Sequence, residues 1–356
     1  MKLLLCTLEY PPQIGGVASY YANLLAAWSP KSEWSVLDNG RGELLATRGS
    51  WRWRRSLLAL WRQQADFIFV GQILPLGTAA WLLSIVKPLR FGVFLHGMDL
   101  SLALKTKRKR FLTRLILSKA ELVVCANSRV QTLAWDFMPS LKQKTLLLHP
   151  AARLGQVDPI IKANWQERYQ LAGKKVILSL GRLVRRKGFD QVIAALENLP
   201  ATNWVYILAG DGPEAQNLRN LAAKSRVAQQ IIFTGPLSEA EKWSCLDLCD
   251  IFITTSRDLE GDFEGFGIVY LEANLLAKPV IAGRSGGVTD AVVDGENGLL
   301  VDPEDVSAIS AAIQRLLTDD RLCFHLGATG KQRAEINFSW PKQADRLRQY
   351  LSLRLN

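Results

Sequence analysis

Histidine is scarce here: the 356-residue chain holds three, His96, His149 and His325, far apart in sequence. Cysteine is little commoner, at five, and Cys6, Cys125, Cys245, Cys249 and Cys323 follow no paired spacing. These counts exclude a disulfide framework and a zinc module, and they point to a reducing compartment. No Asp-x-Asp and no clustered His/Cys set occurs, so no metal or other cofactor is expected. The fingerprint G-x-G-x-x-G is missing, which disfavours a dinucleotide-binding dehydrogenase. Acid is short in one region, where Asp66 is the only carboxylate between Glu43 and Asp99. Low-complexity tracts and internal repeats are absent.

One uncharged run, Phe67 to Val86, has the length of a membrane span. Its interior argues otherwise: "FIFV" reads as a strand, "LPLG" breaks the run, and "TAAWLLSIV" reads as a helix ending before Lys87-Pro88. The opening "MKLLLCTLEYPP" reads as a first buried strand rather than a secretory signal, because Glu9 and a Pro pair follow at once.

What is present is an alternation of short apolar strands and helical patterns over a length that suggests two domains. Composition is globular, with 48% hydrophobic and 22% charged residues. Candidate strands are 2–7, 66–70, 91–95, 122–125 and 145–148, then 176–180, 204–209, 231–234, 251–254, 279–282 and 298–301. Such alternation predicts α/β architecture, with two doubly wound, Rossmann-like domains facing a central cleft. The break falls in the weakly patterned stretch 150–165. Ligands of such sheets sit beyond the carboxyl ends of the strands, so motifs just after strands are the ones that matter.

Four stretches qualify. In "LGRLVRRKGFD" a strand ends at Gly181, and Arg182 and Lys187 stand before a helix, where a guanidinium fork and an ammonium suit phosphate. It is not a Walker loop, since no Gly-Lys-Ser/Thr follows. In "EYPPQIGGVASYYANLL" Gly15 and Gly16 open a helix and let backbone N–H groups approach an anion. In "FLHGMDL" His96 ends a strand. In "FEGFGIVYLEA" Glu264 precedes a helix start whose free N–H groups suit a diphosphate, and Glu272 lies within an otherwise apolar helix. A carboxylate there can accept two hydrogen bonds from vicinal hydroxyls of a ribose. An ordinary amphipathic helix with solvated glutamates explains Glu272 poorly.

Together these stretches carry a resemblance. "EGFGIVYLE" resembles the E-x7-E motif of retaining glycosyltransferase family 4, whose fold is GT-B. "VILSLGRLVRRKGFD", "LAGDGPE", "FTGPLSEAE" and "KPVIAGRSGGVTDAVVDGENGLLVDP" match in chain order, most specifically in the carboxyl-terminal half. The resemblance implies an amino-terminal acceptor-side domain over 1–155, joined by an end helix at about 338–356, and a nucleotide-sugar domain over 156–337. It implies that Arg182 and Lys187 clamp the donor diphosphate and that the Gly15-Gly16 turn closes over it. The amides of Phe266, Gly267, Ile268 and Val269 would face sugar and phosphate, and Gly235 to Leu237 the base. Glu264 would contact the transferred sugar, Glu272 the ribose, and His96 the sugar from the other domain. Asp290 stands where the family usually shows Glu, which puts one structural contact in doubt.

The expected activity is transfer of a hexose from a nucleotide-diphosphate sugar, first UDP-glucose on family frequency, to a hydroxyl of a glycan or lipid-linked acceptor. The family retains configuration and needs no metal. The stretch "RGSWRWRRSLLALWRQQ", with five Arg, three Trp and no acid, and the block "KTKRKRFLTRLILSK" read as a face for anionic lipid. A cytoplasmic protein, peripheral on the inner membrane face, is the corresponding expectation. The net charge of +11 also allows a nucleic-acid binder, but no reading module or stacking platform is present. A sugar-nucleotide epimerase or phosphorylase of the same fold is the nearest enzymatic alternative.

Overall fold

A computed structural model describes residues 1–13, 15–40, 42–45, 54–200 and 203–355. Chain contacts divide it into two compact units, Met1–Pro150 with Trp340–Asn356, and Ala151–Ser339. The sequence expectation had the divisions at 155 and 337. Each unit is built on one six-stranded, all-parallel sheet.

The first sheet comprises β1 (Leu3–Cys6), β2 (Trp34–Leu37), β3 (Phe67–Val70), β4 (Phe91–Leu95), β5 (Leu122–Cys125) and β6 (Thr145–Leu147), in the order β2-β1-β3-β4-β5-β6. β1, β3, β4 and β5 are buried along their whole length, as central parallel strands covered on both faces must be. β2 is the strand that periodicity misses. It is a half-exposed edge strand of sequence WSVL, too short and too mixed to show a period. The uncharged run resolves into β3, an irregular turn and the helix Thr78–Val86. Among the described residues no helix is long and apolar enough to cross a membrane.

The second sheet comprises β7 (Lys175–Leu180), β8 (Trp204–Ala209), β9 (Ile231–Gly235), β10 (Ile251–Thr254), β11 (Val280–Gly283) and β12 (Gly298–Val301), in the order β12-β11-β10-β7-β8-β9. The chain winds outward from β7 to β9 and then returns to place β10 on the other side of β7. That reversal leaves a crevice at the carboxyl ends of β7 and β10, the usual ligand position in such sheets. The stretch 150–165, expected to be weakly patterned, runs into the helix Pro159–Arg168. Asp158 caps it by accepting from the N–H groups of Ile160 and Ile161, with Pro159 in its first turn. The end helix Trp340–Leu355 packs on the first unit: Trp340 meets Tyr20 edge-on at 5.4 Å, and Arg348 lies 4.7 Å from the Trp28 ring.

Candidate active site

In the second unit the loops after β7 and β10 are bound to each other before any ligand is considered. Gly188 has φ 69°, and a Cβ there would meet the Thr255 carbonyl oxygen at 2.1 Å. Thr255 Oγ1 donates to the Gly188 carbonyl at 2.8 Å, and the Arg257 N–H donates to the Arg186 carbonyl at 2.8 Å. The buried Arg257 guanidinium closes the join on Asp190 at 2.8 Å and on the Arg185 carbonyl at 3.1 Å. A left-handed glycine at that point lets the two backbones touch.

On this frame Glu264 receives three groups on one oxygen. Lys187 Nζ and Arg186 Nη1 each lie 2.6 Å from Oε2, and Ser256 Oγ donates to it at 3.3 Å. Burial by itself would raise this carboxyl; the charges of Lys187 and Arg186 outweigh it and hold its pKa at about 2. Lys187 also packs over Gly181, where a Cβ would come within 3.6 Å of its Cε. Arg182, the other expected clamp residue, is exposed and makes no ion pair among the described residues.

Glu264 leads into the helix Ile268–Leu275. Gly267 precedes it at φ 80°, no side chain caps its start, and its first turn carries no acid. Phe266 is buried in the core, while Ile268 and Val269 pack against the core at its margin. Tyr270 fixes the helix to β10, since its hydroxyl donates to the Thr254 carbonyl at 2.9 Å. The start of this helix is thus rigid and carries the partial positive charge that attracts anions. Glu272 points to a different partner, Lys242, at 3.0 Å, and Lys242 is shared with Glu239 at 3.0 Å. Burial raises the Glu272 pKa and Lys242 pulls it back. Gly235, at φ 76°, and the half-buried Leu237 lead from β9 into the helix Glu239–Leu248, which carries Lys242.

The first unit gathers its own polar cluster at the ends of β1, β3 and β4. His96 follows β4, and its Nε2 lies 2.7 Å from the Tyr21 hydroxyl. That hydroxyl donates to the Gly71 carbonyl at 3.0 Å, so it accepts from His96, and the neutral ring carries its proton on Nε2. Burial lowers the His96 pKa to about 4, so neutrality is the rule near pH 7. Asp99 Oδ1 accepts from the N–H groups of His96 at 3.0 Å and Gly97 at 2.9 Å, while its buried Oδ2 has no partner among the described residues. Gly15 is extended at φ 172°. Gly16 starts the helix Gly16–Ala26, and a Cβ added there would meet no atom within 4 Å. Neither glycine is required by packing within the protein.

Sequence reasoning named Lys187 and Glu264 but passed over Arg186, Lys242, Tyr21 and Asp99. Arg186 and Asp99 stand next to or near named residues, so adjacency was a usable signal. Nothing in the sequence points to Lys242 or Tyr21. Asp290, the departure from the family pattern, uses its backbone carbonyl to accept from Arg333 at 3.1 Å. Among the described residues no group of three His, Cys, Asp or Glu is placed to hold a metal ion.

The fold is shared with solved proteins. HepE of Anabaena, crystallised with UDP, superposes with a TM-score of 0.82 at 19% identity over 99% of this chain and 100% of that one. A glycosyltransferase of Rickettsia africae gives 0.82 at 15% identity, covering 99% of this chain and 98% of that one. The chain has the GT-B fold. Residues 162–333, within the second unit, match the family model for glycosyl transferases group 1. Among curated relatives, a GDP-mannose-dependent alpha-(1-6)-phosphatidylinositol monomannoside mannosyltransferase of Mycolicibacterium smegmatis is 38% identical over 55% of this chain and 53% of that protein. The match therefore spans about half the length of that relative. A GDP-mannose-dependent monoacylated alpha-(1-6)-phosphatidylinositol monomannoside mannosyltransferase of Corynebacterium glutamicum is 26% identical over 97% of this chain and 96% of that protein.

Proposed function

We propose that this GT-B chain is a glycosyltransferase that moves mannose from GDP-mannose to a hydroxyl of a glycolipid. The observation that carries the proposal is the convergence of Lys187, Arg186 and Glu264 beside the uncapped helix start at Gly267–Val269, at the strand reversal of the second sheet. A cationic, amide-rich crevice next to a buried carboxylate suits a sugar diphosphate: phosphate on Lys187 and the helix start, sugar hydroxyls on the carboxylate.

The donor differs from the first expectation. UDP-glucose rests on family frequency, whereas the relatives at 38% and 26% identity are named for GDP-mannose. HepE, which has also been crystallised with UDP-glucose, is 19% identical and speaks for the fold alone. GDP-mannose is therefore the proposed donor in place of UDP-glucose.

Breaking the anomeric C–O bond builds negative charge on the leaving diphosphate. Lys187, Arg182 and the helix start would offset it, each group of this kind contributing about 3 kcal/mol to the transition state. Glu264 is a poor base in the ligand-free protein, because two cations hold its Oε2 and keep its pKa at about 2. A two-carboxylate double displacement needs a nucleophile and an acid flanking the bond, and Glu264 is the one carboxylate proposed near the sugar. Same-face attack, with the leaving phosphate taking the acceptor proton, retains configuration and needs no metal. In the first unit, neutral His96 is left with Nδ1 as an acceptor, which suits a hydroxyl. Glu272 would exchange Lys242 for the ribose hydroxyls; in the first unit, Gly15 and Gly16 leave their backbone open to an anion.

A glycolipid acceptor requires a membrane surface. The helix Lys107–Lys119 exposes Lys107, Arg108, Lys109 and Arg110 beside Phe111, and the helix Arg54–Trp61 exposes Arg54, Arg55, Leu58 and Trp61. Trp51, Arg52 and Trp53 lie outside the described residues. The exposed groups suit anionic headgroups and peripheral binding.

The deciding experiment is thermal melting of the full chain with GDP, UDP and ADP, followed by transfer assays from GDP-mannose and UDP-glucose to phosphatidylinositol mannoside. Stabilisation by GDP above the others, and transfer from GDP-mannose, are expected. A response to UDP alone would overturn the donor assignment, and no response to any nucleotide would overturn the activity.

A further inference from the structure

Arg186 is the cation that the donor-site reading leaves without a task. Its guanidinium spans two carboxylates, with Nη1 2.6 Å from Glu264 and Nε 3.3 Å from Asp262. Its main chain is held as well, since its carbonyl accepts from the N–H of Arg257 at 2.8 Å. Arg257 in turn is anchored on Asp190. Lys187 is different: it reaches the same Glu264 oxygen from a flexible stem and lies over Gly181, just past the carboxyl end of β7. A ligand phosphate that draws the ammonium toward itself would take from Glu264 one of its two cationic partners. A buried carboxylate stripped of its partners swings or protonates.

We propose that Arg186 is a positioning residue that keeps Glu264 ionised and aimed while Lys187 serves the diphosphate, an inference that rests on the donor-site reading above. The division follows from side-chain geometry. A planar fork fixes two carboxylates at set angles, and a point charge on four methylenes can move between an anion of the protein and one of the ligand. Arg186 then belongs to catalysis without touching the substrate, and its loss is felt in turnover rather than in nucleotide affinity.

The test compares Arg186→Ala, Arg186→Lys and Lys187→Ala in the full chain, each checked for folding by thermal melting. GDP and UDP binding are measured by calorimetry, sugar transfer by kcat and KM, and the Glu264 carboxyl by NMR titration of the ligand-free protein. Arg186→Ala is expected to bind nucleotide within about twofold of the wild type while kcat falls about 100-fold, as for a misplaced reacting group. Arg186→Lys should recover part of that loss, and the Glu264 titration should move up from about 2 in Arg186→Ala. Equal loss of nucleotide affinity in Arg186→Ala and Lys187→Ala would make Arg186 a phosphate ligand and overturn the assignment. Unchanged turnover in Arg186→Ala, or an unmoved Glu264 titration, would overturn it too. If the wild type binds neither nucleotide, the donor-site reading falls instead, and the ligand-free titration still decides whether Arg186 holds Glu264.

Discussion

Lys187 Nζ lies 2.6 Å from Glu264 Oε2, across two loops that belong to different strands of one sheet. The pair occupies the crevice where a donor diphosphate is proposed to bind. Lys187→Ala should weaken GDP binding by about 2 kcal/mol, roughly 30-fold, the scale of a charged hydrogen bond. The fold should survive, because Arg186 still holds the carboxylate. Calorimetry with GDP beside a melting curve checks both parts. Full affinity in the variant would remove Lys187 from the donor site.

Glu272 makes a separate prediction. Among the described residues its one cation is Lys242, which keeps the exposed Glu239 at 3.0 Å when Glu272 is lost. Burial already disfavours the ionised form of Glu272. Glu272→Ala should therefore change stability by about 1 kcal/mol or less. Nucleotide affinity should fall about tenfold, from two lost hydrogen bonds. Urea unfolding and GDP titration of one sample separate the two effects. A large loss of stability with intact affinity would make Glu272 structural.

His96 and Asp99 predict an unusual pH response. Burial lowers the His96 pKa from 6.5 to about 4, so the unfolded chain binds the extra proton between those values and stability falls as pH drops through that window. Burial raises the Asp99 pKa from 3.8 to about 6, backbone N–H groups pulling the other way; here the folded state binds the extra proton, and stability rises as pH drops through its window. The two slopes oppose each other between about pH 4 and 6. Asp99→Asn removes one of them. The variant should be more stable than the wild type above about pH 6, and should lose about 1.4 kcal/mol more per pH unit than the wild type on acidification through that interval. Denaturant midpoints at several pH values test it, and parallel curves for the two proteins would refute it.

The basic face of the first unit predicts salt-sensitive binding to vesicles. Replacing Lys107, Arg108, Lys109 and Arg110 by Ser should cost about 1 kcal/mol per charge on anionic vesicles at low salt and nothing on neutral ones. Flotation at two ionic strengths measures it. Identical binding of variant and wild type to anionic vesicles would place any membrane contact elsewhere.

The central strands were legible in the sequence because buried parallel strands are near-continuous apolar runs, as in "FIFV" and "LVVC". The half-exposed edge strand Trp34–Leu37 was not, since it has neither a run nor a period. The helix Pro159–Arg168 announced itself only through its Asp-Pro start. At the candidate site, Lys187 and Glu264 could be named from their places after strands, but not their contact. Lys242 was hidden for the same reason: it stands 30 positions before Glu272, on another helix.

By itself the sequence determined the alternation of strands and helices, the glycine-rich and basic turns that follow the strands, and the resemblance carried by those turns. All of these are local properties, set by side-chain burial and backbone freedom over a few residues. Only the tertiary structure decided which charges meet. Arg186 and Glu264 are 78 positions apart and touch because β7 and β10, distant in the chain, pair side by side where the sheet reverses direction. That pairing turns a basic loop and an isolated glutamate into a single ionised cluster, since a carboxylate out of water keeps its charge only when cations are brought to it.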